Sequence, residues 1–119
     1  MTHPDPIDWD QALTTVGGDA ELLKELLGVY LGEANQMIRQ MKSAVDAGDR
    51  SLLRRCAHTL KGASMSMAAT ATTAQAEILE QGCEDMNAQQ LSEQLEAVNA
   101  ATQEAIAAIE ARLASSNPE

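Results

Sequence analysis

The residues best suited to chemistry lie between Arg50 and Lys61, around a single histidine, His58. The chain carries eight basic residues against eighteen acidic ones, a formal net charge of −10. Four of those eight, Arg50, Arg54, Arg55 and Lys61, fall within twelve positions. No Asp or Glu occurs between Arg50 and Lys61, nor from there until Glu77. An acidic chain therefore keeps one local positive zone, and an imidazole sits inside it. Imidazole is partly neutral and nucleophilic near pH 7. The combination suits an anion held beside a nucleophile.

Helical phasing at about 100° per residue sharpens this. With His58 at zero, Arg54, Arg55, Lys61, Gly62 and Met65 fall within roughly 60° of it. Leu53, Cys56, Leu60, Ala63 and Met67 fall on the far side. The apolar stripe then faces a core and His58 faces water, which weighs against a buried structural histidine. Lys61, at i+3, can reach over the ring and hold an anionic oxygen as a point charge. Gly62, at i+4, costs a helix about 1 kcal/mol relative to Ala. Its presence indicates either open space beside the ring or tight helix packing. Arg54 and Arg55 read most simply as solvated surface charges and otherwise as part of a docking face. Met65 is either an exposed docking side chain or an inward filler. No Ser, Cys or carboxylate shares the His58 helix face as nucleophile or orienter, which disfavours a hydrolase.

Composition narrows the classes further. An acidic surface repels nucleic acid and anionic membranes, so neither is expected as a partner. No apolar run approaches the roughly 20 residues that span a bilayer. The segment from Met1 to Pro6 lacks the basic and apolar parts of a signal peptide, so the expected location is cytoplasmic. Cys56 and Cys83 form no Cys-x-x-Cys and read as reduced, packed thiols. No cofactor or metal ligand set belongs to this chain on this reading.

The elements that must position His58 are helical. Leu, Ile, Val, Met and Ala supply the apolar residues, with one Trp, one Tyr and no Phe. Residues 1–6 read as a flexible leader and 115–119 as a frayed tail, around one domain over 7–114. Asp8 caps a short helix from Trp9 that stops at Gly17-Gly18. Asp19 caps a long amphipathic helix, with Leu22, Leu23, Leu26, Leu27, Tyr30, Met37, Met41 and Ala44 on its apolar face, ending near Ala47-Gly48. A third helix starts at Asp49 or Ser51 and carries His58. The small, polar stretch from Ser64 to Thr73 contains a break. A fourth helix runs through Ala76 and Leu79 to Gly82, and a last helix carries Leu91, Leu95, Val98, Ile106, Ile109 and Leu113. The fold class is all-α: an up-down four-helix bundle with a short additional N-terminal helix.

The segment Ala57-His58-Thr59-Leu60-Lys61-Gly62 resembles the His-x-x-Lys-Gly core of histidine-containing phosphotransfer (HPt) domains of two-component phosphorelays. Ile7-Asp8 through Asp19, Glu21-Leu22-Leu23, Leu26-Leu27, Gly48-Asp49 and Leu79-Glu80 fit the same pattern, so the resemblance spans roughly 7–113. It implies a phosphoacceptor histidine, His58, that takes a phosphoryl group from a receiver-domain aspartate and passes it to another. It further implies Lys61 as phosphate stabiliser, Gly62 as access, and Arg54, Arg55 and Met65 beside the docking partner. Implied partners are response-regulator receiver domains and a (hybrid) sensor histidine kinase, with Mg2+ supplied by the receiver. A monomer without kinase activity of its own suffices. The alternatives are the phosphoacceptor domain of a larger hybrid or chemotaxis-type kinase, and a helical adaptor that is never phosphorylated. Met67-Ala68-Ala69 stands where the family often has Leu-Gly-Ala, and Thr72 and Gln75 stand where apolar residues are common. These departures predict an altered end to the histidine helix and a fourth helix that packs loosely or begins late.

Overall fold

Three aspartates set where the first three helices begin. In the computed structural model, which describes residues 5–115, α1 spans Trp9–Thr15, α2 Ala20–Ala47 and α3 Arg50–Ser66. Asp8 and Asp19 precede α1 and α2 in extended backbone, and Asp49 precedes α3 in a non-helical conformation. Each carboxylate accepts the amide of the residue three positions on, at 3.1, 3.0 and 3.0 Å. This satisfies a donor that the first helical turn leaves without a partner. Ser51 is thus inside the third helix and Asp49 is its cap. Gly48 ends α2 at φ 69°, a left-handed conformation that glycine adopts without steric cost.

The remaining elements are α4, Thr70–Gly82, and α5, Ala88–Ser115. Asn87 and Gln90 cap α5 reciprocally, each side chain accepting the other's amide, at 2.8 and 2.9 Å. The four long helices pack in a ring, α2 on α3, α3 on α4, α4 on α5 and α5 on α2, with α1 against α2. The described residues therefore form the all-α bundle with a short leading helix that periodicity predicts. Of the leader and tail, residues 1–4 and 116–119 lie outside the described residues. Asp5 is fixed locally, its carboxylate accepting the Ile7 amide and the Trp9 indole N–H, each at 3.2 Å.

The core is aliphatic, from Leu23, Leu27, Ile38 and Met41 of α2 through Leu53 and Leu60 to Leu79, Val98 and Ile109. Leu22 and Leu26, expected on the same face, are 41% and 36% exposed. The apolar stripe of α2 is wider than the surface its neighbours cover. Tyr30 and Ser64, both buried, join their hydroxyls at 2.7 Å and pin α2 against α3. Burial also pushes the Tyr30 phenol up from its ordinary value. A second bond, Cys56 Sγ to Gln40 Oε1 at 3.4 Å, continues this antiparallel register past His58.

The break between α3 and α4 is confined to Met67, Ala68 and Ala69. Ala68 takes φ 58°, the left-handed turn for which glycine is suited, so the expected alteration of the helix end is a strained residue in an ordinary turn. Ala69 and Ala68 amides return to Ser64 and Met65 carbonyls at 2.9 and 3.1 Å, and the Ala68 carbonyl accepts the Asp8 amide at 3.0 Å. The fourth helix does not begin late. Thr72 is buried, and its hydroxyl, although near enough to Tyr30 to favour phenol ionisation, makes no well-formed hydrogen bond. Gln75 is half-buried and takes the Gln94 amide on its carbonyl and side-chain oxygens at 3.0 and 2.9 Å, tying α4 to α5.

Candidate functional site

His58 emerges from the middle of α3 with 68% of its side chain exposed. Of the residues that phasing turns inward, Leu53, Cys56, Leu60 and Met67 are buried and Ala63 is half-buried; Ala57 is buried as well. The backbone beneath the ring is therefore held by the core while the ring itself stands in water. Gly62 follows one turn later, and a Cβ built there would meet no atom within 4 Å. Tight packing does not explain this glycine; it leaves open space beside the histidine. Met65 continues the same face and is 60% exposed, so it is not an inward filler.

The organising group was not anticipated from α3 alone. Glu80 of α4 reaches across the helix pair, with Oε2 2.7 Å from His58 Nδ1 and Oε1 2.7 Å from Lys61 Nζ. An ionised carboxylate only accepts, so Nδ1 carries a proton, and in the neutral ring Nε2 is the nitrogen left with the lone pair. The Glu80 carboxyl is held below its ordinary range, chiefly by its bond to Lys61 and then by His58; Lys61 is held above its own by Glu80. The absence of a carboxylate on the His58 helix face thus conceals an orienter supplied by the neighbouring helix. Lys61 is already paired, and Glu77 of α4 also acts on its charge, so the positive zone is partly neutralised.

The other basic residues divide. Arg50 is structural: its guanidinium donates to the Met86 carbonyl at 2.6 Å and to the Cys83 carbonyl, satisfying oxygens of the turn that follows α4. Arg54 and Arg55 are exposed, and among the described residues neither forms an ion pair. With Ser51, His58 and Glu80 they line a groove of about 320 Å³. Cys56 and Cys83 are buried free thiols, both raised in pKa by burial. Among the described residues no cluster of three or more His, Cys, Asp or Glu side chains could hold a metal ion. No helix among them is long and apolar enough to cross a membrane.

A helical bundle that displays one histidine, fixed from beneath by the core and from the side by a carboxylate, is the architecture of a histidine phosphotransfer module. The chain belongs to the Hpt domain family, whose pattern it matches over residues 25–113. That membership gives it a phosphotransfer role in two-component phosphorelays, and domains of this family interact with receiver domains and histidine kinases. The fold is similar to that of histidine-containing phosphotransfer protein B (HptB) from Pseudomonas aeruginosa PAO1, with a TM-score of 0.85 and 19% identity over 96% of this chain and 98% of that one. It is likewise similar to the HPT domain of a sensor hybrid histidine kinase from Shewanella, with a TM-score of 0.82 and 18% identity over 93% and 96%. No curated protein sequence matches the chain.

Proposed function

We propose that His58 accepts a phosphoryl group on Nε2 from the phospho-aspartate of one receiver domain and delivers it to the aspartate of another. The observation that carries this reading is the Glu80–His58 bond at 2.7 Å. It occupies Nδ1 and leaves Nε2 as the nucleophile. In the forward step the Nε2–P bond forms, the acyl P–O bond breaks, and the electron pair leaves with the aspartate carboxylate. Nδ1 keeps its proton, so positive charge develops on the ring beside Glu80, which stabilises it. The return step reverses these changes at the second receiver. Phosphoryl transfer needs mainly positioning and charge compensation, and a positioned imidazole is what this chain contributes. The Mg2+ and the acidic pocket belong to the receiver in this scheme.

Lys61 pairs with Glu80 at 2.7 Å and so steadies the orienting carboxylate. Gly62 leaves the approach to the ring open. The docking face extends from Met65 onto α2. The Tyr30–Ser64 bond sets Val29 level with Met65, and Val29, Leu26 and Leu22 are all at least 36% exposed. These side chains, with Arg54 and Arg55 on the other side of His58, offer an apolar and basic surface to a receiver.

The test is to incubate the protein with a phosphorylated receiver domain and follow acid-labile label. The expected result is label on the wild type and none on His58→Gln. Label persisting in His58→Gln would refute the site, and no transfer from any cognate receiver would refute the relay.

A further inference from the structure

We propose that the groove lined by Ser51, Arg54, Arg55, His58 and Glu80 is where the phosphoryl group on Nε2 rests between partners, with Arg54 and Arg55 holding its oxygens. The inference rests on His58 being the phosphoacceptor and adds a binding site for the transferred group. At about 320 Å³ the groove takes a phosphoryl group and several waters.

Side-chain direction favours this groove over the Lys61 side. Helical side chains lean toward the helix N-terminus, so a residue covers the turn before its own Cα. For His58 that turn carries Arg54 and Arg55. The Nδ1 edge of the ring is committed to Glu80 of α4, which directs the Nε2 edge away from that carboxylate. Lys61 is engaged by Glu80 at 2.7 Å, whereas Arg50 is consumed by carbonyls of the turn that follows α4. Arg54 and Arg55 are the basic residues beside His58 with no ion pair among the described residues. Guanidinium forks match phosphoryl oxygens in pairs, and the Ser51 hydroxyl adds a donor. Glu80 also lines the groove, but its charge is taken up by Lys61 and by the Nδ1 proton.

The consequence is a longer-lived phosphohistidine. Hydrolysis passes through a loose transition state in which negative charge moves from the phosphoryl oxygens toward the leaving ring. Cations on those oxygens stabilise the ground state more than the transition state, and so slow loss of the group to water.

Phosphoramidate provides a test without any partner. Nε2 attacks its phosphorus, the N–P bond of phosphoramidate breaks, and ammonia leaves with the protons it already carries. The charged protein is freed of reagent, and decay of phospho-His58 is followed by 31P NMR at low ionic strength. Arg54→Gln/Arg55→Gln is expected to shorten the lifetime roughly five-fold, as for one partly exposed charge-assisted contact. Arg54→Lys/Arg55→Lys should recover part of it, and added salt should shorten the wild-type lifetime but not that of the Gln pair. Lys61→Ala should have the smaller effect. An unchanged lifetime in a Gln pair that is folded by circular dichroism would overturn the proposal. So would a dominant Lys61→Ala effect, or failure of the folded wild type to accept the group. If the lifetime effects appear but no receiver exchanges phosphate with His58, the groove stands and the relay reading falls.

Discussion

Replacing Glu80 with Ala removes one carboxylate that touches two site residues at 2.7 Å each. A charge-assisted hydrogen bond contributes about 1.5–3 kcal/mol when well shielded. The Glu80 side chain is only 19% exposed, but His58 is 68% exposed, so solvent screens the contact on one side. A discount of about half leaves roughly 0.75–1.5 kcal/mol of stabilisation for the ring charge that develops during transfer, or about four- to twelve-fold in rate. The same deletion frees Nδ1, so both ring nitrogens become available. Phosphoramidate charging followed by 31P NMR reads both effects, because phosphate on Nδ1 and on Nε2 resonates differently. Wild type should yield the Nε2 isomer alone. Glu80→Ala should charge about four- to twelve-fold more slowly and give both isomers. Glu80→Gln keeps an acceptor oxygen without the charge, so it should stay selective for Nε2 while still slowed. Wild-type rate and selectivity in Glu80→Ala would refute the orienting role.

Other outcomes follow from neighbouring residues. Gly62→Ala should raise stability by up to about 1 kcal/mol in urea unfolding, since its Cβ meets nothing, while slowing transfer from a receiver; equal transfer would show that the space is not needed for docking. Ala68→Gly should be neutral or mildly stabilising, against the loss of about 1 kcal/mol usual for Ala→Gly in a helix, whereas Ala68→Val should cost about 2 kcal/mol or more at this buried left-handed position; thermal melts decide. The Glu80 carboxyl lies below its ordinary 4.5, so its contribution to stability is full above that value and is lost as pH falls through the lower folded one. Lys61 lies above its ordinary 10.5, so its contribution is full below that value and is lost as pH rises through the higher folded one. The Lys61–Glu80 part of the stability difference between wild type and Glu80→Gln should therefore shrink below roughly pH 5 and above roughly pH 10; a difference that persists unchanged at both extremes would contradict the pairing.

Much of this was legible in local sequence because local physics decides it. Asp8, Asp19 and Asp49 cap their helices through bonds to residues three positions on, so the starts of α1, α2 and α3 can be read without knowing the fold. The exposure of His58 follows from the phase of Leu53, Cys56 and Leu60 on one helix. Glu80 was not legible in the same way, since its partners lie 22 and 19 positions away and meet it only when α3 packs on α4. Glu77 and Glu80 on the helix after a short turn were the available signal. Charge counting along the chain also overstated the basic zone, because it could not assign Arg50 to carbonyls of the turn that follows α4 or see Lys61 neutralised. Leu22 and Leu26 show the complementary limit: periodicity gives an apolar face, and only packing says how much of it is covered.

The central claim is that His58 passes a phosphoryl group between two aspartates, and a two-receiver chase tests it most directly. One receiver is labelled and used to charge the protein, the charged protein is purified away from it, and a second receiver is added. Label should leave His58 and appear on the second receiver's aspartate, with no passage through His58→Gln. Label that stays on the wild type until it hydrolyses, or that reaches the second receiver equally well through His58→Gln, would contradict the account.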